Sequence, residues 1–417
     1  MKQSHLFTKT RKEDPADETS KNAELLIRGG FIHKEMAGVY SYLPLGLRVL
    51  KKIENIIREE MDKVGGQEVL MSSFQPKENW EKTGRWKAMT DLYKVSDSSS
   101  REVALGPTHE EIVVPILKNY VSSYKDFPVS IYQIQNKFRM ELRAKSGLLR
   151  GREFIMKDMY SFHTTKEDFE NFYEKMKDVY KTIFDRIGIG HLTYLTFASG
   201  GTFSKYSHEF QTITSSGEDT IFIDEVGGIA LNKEVLNDEV LDQLNLKREK
   251  LVEHKAIEVG NIFDLKTKYS VPFDLSFADE KGEKHTVLMG CYGIGLGRLM
   301  GTVVEVLSDD KGIVWPLSIA PFTIHLLVLG DDAMVLEEAE KIYKSLLKAG
   351  VEVLFDDRTD VSAGEKFSEA DLLGIPWRAV VSLRSIKDGG IEIKKRTEEK
   401  GRIIPLGELL ILLKSKF

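Results

Sequence analysis

The residue types able to do chemistry are unevenly spread along this chain. Between Lys137 and Lys157 stand seven basic residues (Lys137, Arg139, Arg143, Lys145, Arg150, Arg152, Lys157) and two acidic ones, Glu141 and Glu153. That local charge of +5 sits in a chain whose formal net charge is −6. Folded back as a hairpin, the stretch would converge several guanidinium groups on one concave site. Such a site suits a polyphosphate, because each planar fork can grip two phosphate oxygens. A solvated pair of charged strands fits the charge count equally well. A second string, Gly293-Ile294-Gly295-Leu296-Gly297-Arg298, links a strand-like segment to a helix-like one. Glycines there let a backbone approach an anion at a helix start. The spacing is not G-x-G-x-x-G, however, and no G-x-x-x-x-G-K-[ST] phosphate loop occurs. Arg298 places a cation where the helix dipole disfavours one, which points to an anionic ligand.

Two shorter strings are more ambiguous. Thr108-His109-Glu110-Glu111 follows the turn Gly106-Pro107. Read alone, Thr108 with Glu111 three residues on has the pattern of a helix N-cap and its capping box. Ser207-His208-Glu209 precedes apolar Phe210, and a lone histidine is more often packed than catalytic. The nine histidines show no metal-ligand spacing, and the single cysteine, Cys291, excludes a disulfide framework or a multi-cysteine zinc site.

These strings need elements to hold them. Residues 44–66 carry Leu50, Ile53, Ile57, Met61 and Val64 at steps of three and four, one apolar stripe of a helix. Pro44 suits its entry and Gly65-Gly66 its end. QEVLMSSFQP (67–76) reads as a strand, REVALGPT as another, and HEEIVVPILKNYVSSYKDFP as a helix. VSIYQIQNKFRMELR and REFIMKDMYSFH read as two extended segments forming an antiparallel hairpin, followed by a helix over 165–187. Residues 225–285 are weakly patterned and are expected to hold a small subdomain. WPLSIAP (315–321) reads as a linker. Beyond it strands and helices alternate, predicting a small α/β domain with a partly parallel sheet. At 417 residues, 41% hydrophobic and 30% charged, the chain fits two or three globular domains. No apolar run nears the roughly 20 residues of a membrane span, and the polar first 22 residues lack an export signal's apolar core, so a cytoplasmic protein is expected.

Taken together, the strings become specific. Phe138-Arg139-Met140-Glu141 and Arg150-Gly151-Arg152-Glu153-Phe154 resemble motif 2 of the class II aminoacyl-tRNA synthetases, and GIGLGR resembles motif 3. The segment 44–76 resembles motif 1. LGPTHEE, SSYKDFP, YQIQNKFR, REFIMKDMYSFH, SHEFQ, KAIEVGNIFDLKTKYS and GCYGIGLGR are close to bacterial prolyl-tRNA synthetases, and VLFDDR and LLGIPWRAVV resemble their anticodon-binding domain. The resemblance implies an α+β fold: an antiparallel catalytic sheet flanked by helices over 1–317, and a mixed α/β anticodon-binding domain over 318–417. Motifs 1, 2 and 3 would lie at about 44–76, 137–158 and 287–305. Two departures stand out. Ser72 replaces a motif 1 proline near the family's dimer interface, and 225–285 is too short for the editing domain that longer relatives insert between motifs 2 and 3.

The resemblance also implies roles. L-proline and ATP would form prolyl-adenylate, and the prolyl group would then pass to tRNA(Pro). Arg139 would hold the α-phosphate and touch the proline carboxylate. Arg298 and Arg150 would hold the γ-phosphate, with Phe154 stacked on adenine and Glu141 near the base. Thr108 and Glu110 offer acceptors to the two N–H groups of the secondary ammonium, with His208 as a pocket wall. Arg143 would meet the acceptor stem, and Lys387, Lys394, Lys395 and Arg396 the anticodon phosphates. Mg²⁺ would arrive with ATP, no zinc is expected, and motif 1 implies a homodimer. Threonyl-tRNA synthetase is the alternative within the class, opposed by the position of Cys291 in the glycine turn. A non-catalytic accessory protein is the alternative outside it, opposed by the presence of Arg139, Arg150 and Arg298.

Overall fold

The computed structural model describes residues 1–142, 144, 146–201 and 206–414, with 206 and 414 described by their backbone alone. Two compact units emerge. One comprises 35–40 and 53–302; the other comprises 1–34, 41–52 and 303–417.

The first unit is built on a nine-stranded sheet. Its order is Tyr206–Ile213, Thr193–Ser199, Ile229–Asn232, Asp219–Asp224, Leu251–Lys266, Leu288–Gly295, Glu153–His163, Val129–Phe138 and Gln67–Glu68. Pairing is antiparallel except where Ile229–Asn232 meets Thr193–Ser199 and Gln67–Glu68 meets Val129–Phe138. The expected hairpin forms, with ten pairs from Val129↔Phe162 to Phe138↔Glu153. Helix Lys166–Ile187 buries Phe169, Tyr173, Met176, Tyr180, Ile183, Phe184 and Ile187, a repeat of three and four that gives it one core-facing stripe. The Thr165 side chain accepts from Asp168 N at its start, and Gly188 ends it at φ 98°.

Several expectations change. QEVLMSSFQP is not one strand: Gln67–Glu68 joins the large sheet, and Phe74–Pro76 pairs with Glu102–Leu105 in a three-stranded sheet. Between them Met71 bonds side chains instead of a ladder, its N–H donating to Gln133 Oε1 at 3.0 Å and its carbonyl accepting from Gln135 Nε2 at 2.7 Å. Residues 225–285 are not a separate subdomain. Leu251–Lys266 is a sixteen-residue strand that pairs with Tyr206–Ile213, Asp219–Asp224 and Leu288–Gly295. Its polar face, with Glu258 and Asn261 on the site described below, hides the apolar signal. The short connection is therefore 225–250. The glycine turn is also tighter than expected, because strand Leu288–Gly295 runs directly into helix Leu296–Leu307.

The second unit holds a five-stranded sheet ordered Val353–Asp356, Ile324–Val328, Trp377–Val381, Ile391–Lys395 and Arg402–Ile404. The first three are parallel and the rest antiparallel, as the alternation predicts. Helices Ala333–Lys348 and Ala363–Leu373 supply the crossovers. The N-terminal residues belong here too: Phe355 N donates to Met1 O at 2.9 Å. WPLSIAP is no loose linker, since Trp315, Ile319 and Ala320 are buried. Lys394 and Arg396 are buried as well, donating to Glu398 O and to the Asp309 carboxylate, so neither is free to meet phosphate. Lys387 and Lys395 remain exposed.

Candidate functional site

A cavity of about 350 Å³ opens on the large sheet. The hairpin, the long strand Leu251–Lys266, the strand-to-helix junction at 295–298 and the turn before helix Glu110–Lys118 all contribute to its lining. Thr108, Glu110, Arg139, Glu141, Arg150, Phe154 and Arg298 line it together. Of the residues expected at the site, these seven are brought to one place.

Three arginines line the phosphate-type end. Arg139 follows the last hairpin pair, with its own N–H bonded to Arg152 O at 2.9 Å. Its guanidinium donates to Pro107 O at 3.3 Å and lies 5.2 Å from the Phe154 ring centroid. Its Nε is buried with no acceptor among the described residues. Burial, reinforced by the nearby Arg298, pushes the Arg139 pKa down. Arg298, in the first turn of its helix, donates from Nε to Leu149 O at 2.7 Å and contacts the Glu258 carboxylate at 3.1 Å. Two cations facing one cavity, one with a buried donor unanswered, form an environment that an anion relieves. Arg150 is held by Glu141 at 2.8 Å, with Glu218 at 3.4 Å, and this pairing raises its pKa.

The other end is a buried polar cluster. Helix Glu110–Lys118 is capped by His109 without a side-chain cap, so the capping-box reading fails. Thr108 Oγ1 instead donates to Glu110 Oε2 at 2.5 Å, and Glu111 pairs with Arg85 at 3.0 Å and Thr83 at 2.9 Å. Burial pushes the Glu111 carboxyl up to about 7 against the pull of Arg85. Pro115 inside the helix leaves the Glu111 carbonyl without its helical donor, and Asn79 Nδ2 fills the place at 2.8 Å. Cys291 lies 3.5 Å from Glu110 Oε1.

One expectation is not met by the described geometry. His208 sits on the opposite face of its strand, because side chains alternate and its neighbour Glu209 takes the site side. Tyr173 OH is 2.9 Å from His208 Nδ1, and the ring packs edge-on to Phe197 in a separate cavity. Burial lowers its pKa to about 4. Arg143 lies outside the described residues. Of the seven basic residues in the stretch, Arg139 and Arg150 line the cavity, whereas Lys137 and Lys157 do not. Lys157 is fully buried away from the cavity, donating to Tyr180 OH and Tyr292 O at 2.8 and 2.9 Å. Lys137 forms a buried pair with Asp158 at 2.6 Å.

Sequence reading missed Asp158, Lys137, His109, Tyr160 and Glu258. The signal was present: Lys137, Lys157 and Asp158 interrupt strands otherwise rich in Tyr, Ile, Met and Phe, and a central strand admits a charge only where it is answered. Glu258 is the lining carboxylate beside Arg298. Next to it Glu209 is pushed up to about 8 by burial and by Glu258, and Asn261 Nδ2 reaches both carboxylates at 3.4 and 3.2 Å.

Comparison with known proteins agrees with this geometry. The tRNA synthetase class II core domain (G, H, P, S and T) family matches residues 93–307, and the anticodon binding domain family matches 317–416. The proline–tRNA ligase of Wolbachia sp. subsp. Drosophila simulans is 40% identical over 408 residues, covering 95% of each chain. That of Thermosipho melanesiensis is 35% identical, covering 95% of this chain and 96% of its own. Its alignment extends over 544 residues against a chain of 417, so it carries a long stretch of sequence that is missing here. A crystal structure of prolyl-tRNA synthetase from Cryptosporidium parvum, complexed with L-proline and AMP, shares the fold at a TM-score of 0.76 and 20% identity, covering 97% of this chain and 77% of that one. On sequence and fold together, the chain belongs to the proline–tRNA ligases, class II aminoacyl-tRNA synthetases.

Proposed function

We propose that this protein ligates L-proline to tRNA(Pro) in two steps at the 350 Å³ cavity. The observation that carries the reading is the pairing of two unlike ends: Arg139 and Arg298 for phosphate, Thr108 and Glu110 for an ammonium. Proline's carboxylate is already ionised at pH 7 and attacks the α-phosphorus of ATP without a general base. Arg139, with its Nε unanswered, neutralises charge growing on the α-phosphate, while Arg298 and Arg150 hold the terminal phosphates. The catalytic contribution is mainly positioning and preorganised charge. Phe154, which lines the cavity, stacks on adenine, with Glu141 near the base. Mg²⁺ enters with ATP and keeps most of its waters. The Glu258 carboxylate fits a role beside it, since it faces the same cavity next to Arg298. No zinc is required.

Residues 1–317 serve activation and 318–417 read the anticodon, with the exposed Lys387 and Lys395 as remaining phosphate contacts. A cytoplasmic homodimer is the setting. Exposure of Val69, Leu70 and Phe74 in motif 1, with Leu70 77% exposed, supports a partner surface. The connection 225–250 contains Ile229–Asn232 and Asp238–Gln243, and we assign it no editing site. Pre-formed alanyl-tRNA(Pro) should then decay at its spontaneous rate whether or not the protein is present; enzyme-dependent decay would refute that assignment. The two-step reading is tested with Arg143→Ala, which should leave pyrophosphate exchange near normal while proline transfer to tRNA(Pro) falls. Equal slowing of both steps would remove the acceptor-stem role.

A further inference from the structure

Beneath Thr108 and Glu110 lies a chain of buried hydrogen bonds whose proton positions can be worked out. Lys137 is the starting point because an ammonium only donates. Its Nζ is 2.9 Å from His109 Nδ1 and 2.6 Å from Asp158 Oδ1. Nδ1 must therefore accept, which puts the histidine proton on Nε2. That nitrogen lies 3.1 Å from the Ser72 carbonyl, which can only accept, so both ends of the ring agree on one tautomer. Burial, with Lys137 next to it, lowers the His109 pKa to about 4 and keeps the ring neutral. On the other side Asp158 Oδ2 accepts from Gln133 Nε2 at 3.0 Å and from Tyr160 OH at 2.9 Å. Tyr160 has one proton, and Asp158 takes it. Its oxygen accepts from the His109 backbone N–H at 3.0 Å and sits 3.5 Å from Thr108 Oγ1, to which it has no proton left to give. The Thr108 hydroxyl proton is directed to Glu110 Oε2. What faces the cavity from Thr108 and Glu110 is then lone pairs alone.

We propose that His109 is a positioning residue of the amino-acid subsite: by fixing Lys137 on Asp158, and so the Tyr160 proton on Asp158, it makes the Thr108–Glu110 pair an acceptor-only site for the two N–H donors of a secondary ammonium. This rests on the reading of the cavity as a proline-activating site. It adds to that reading a residue, His109, that touches no substrate, and a basis for selection by donor count. A ring of proline's shape that offers an acceptor where proline offers donors meets only opposing lone pairs.

The test is proline-dependent pyrophosphate exchange by the full chain, with tetrahydrofuran-2-carboxylate, proline's ring with an ether oxygen in place of the nitrogen, as a competitor. The wild-type protein should bind it at least about 100-fold more weakly than proline. His109→Phe, which keeps the ring but removes both nitrogens, should raise the proline KM about tenfold with kcat and the ATP KM near normal, and should narrow that discrimination. His109→Asn, whose amide oxygen can stand in for Nδ1, should recover most of the proline KM. Tyr160→Phe provides the isosteric check if His109→Phe fails to fold, and should likewise raise the proline KM and narrow the discrimination. Folded variants whose proline KM and discrimination match wild type would overturn the proposal. So would proportional losses in kcat and in both KM values, which mark general structural damage. Absence of proline-dependent exchange in the wild type would instead defeat the parent reading.

Discussion

Strand Ile324–Val328 in the C-terminal unit buries all five residues of IHLLV, and its parallel neighbours Val353–Asp356 and Trp377–Val381 are buried almost as completely. The central strands Val129–Phe138 and Glu153–His163 of the catalytic unit are less completely buried, yet they enclose Gln133, Lys137, Lys157 and Asp158. The C-terminal sheet also buries Asp356, answered by Arg358 and Lys366, and Lys394, whereas the catalytic sheet sets Lys157 and Asp158 side by side within a central strand. Well-packed hydrophobic residues of similar volume commonly stabilise as much as a buried ion pair or more, so stability alone does not explain that placement. Function accounts for it: the catalytic sheet departs from the local rules for a central strand at the positions that support or face its cavity.

Breaking the buried pair should have the largest effect. Asp158→Ala leaves Lys137 buried without its counter-charge and should cost the catalytic unit about 3–5 kcal/mol. Hydrogen exchange should rise in peptides from 129–163 and stay unchanged in those from 324–404. The double change Lys137→Met with Asp158→Leu sharpens the comparison, since stability should return while exchange activity stays lost. Activity returning together with stability would mean that the pair is structural only.

The next effect leaves the fold intact. Arg139→Ala removes a charge-assisted contact to growing phosphate charge and should cost about 3 kcal/mol in adenylate formation, or roughly a hundredfold. Thermal denaturation should change little, because among the described residues this guanidinium has one weak acceptor, at 3.3 Å. A variant that loses stability in proportion to activity would count against the phosphate role.

Acid should separate the two units. His325 is fully buried in the C-terminal sheet with Nε2 donating to Gln3 Oε1 at 2.8 Å. Burial lowers its pKa from 6.5 to about 3; Asp356 opposes this, and Arg358, Arg378 and Lys366 add to it. The unfolded chain therefore takes up this proton at higher pH than the folded one. Stability from His325 is complete above about pH 6.5 and is lost as pH falls towards 3, by up to about 1.4 kcal/mol per pH unit. In the catalytic unit His109 and His208, both near 4, act in the same direction. Glu111 and Glu209, raised to about 7 and 8, oppose them, because the folded state binds their protons first. From pH 6.5 to 4.5 hydrogen exchange should therefore accelerate more in the C-terminal sheet. Equal acceleration in both units would show that His325 does not set the acid sensitivity of the C-terminal sheet.

The smallest effect is a control. Ile393→Val in the apolar C-terminal core should cost about 1 kcal/mol, visible in urea denaturation, and leave proline-dependent exchange unaltered.

The same contrast explains what could be read from the sequence. The C-terminal alternation, the motif 2 hairpin and helix Lys166–Ile187 were legible because each repeats apolar residues at its own period. Leu251–Lys266 was not, since Glu258 and Asn261 occupy its site face and mask the period of two. Arg139, Arg298, Thr108 and Glu110 were legible through motif spacing. His208 was misplaced because a motif gives no strand face, and the Thr108 cap because propensity cannot see Tyr160 and Glu110 competing for the hydroxyl. Lys394 and Arg396 looked like surface cations until Glu398 O and Asp309 claimed them.

The most direct test of the account is ATP–pyrophosphate exchange by the purified protein with proline, threonine or no amino acid. Exchange should depend on proline, be nearly absent with threonine, and fall about a hundredfold in Arg298→Ala. Threonine-driven exchange equal to that with proline, or an Arg298→Ala variant as active as wild type, would contradict it.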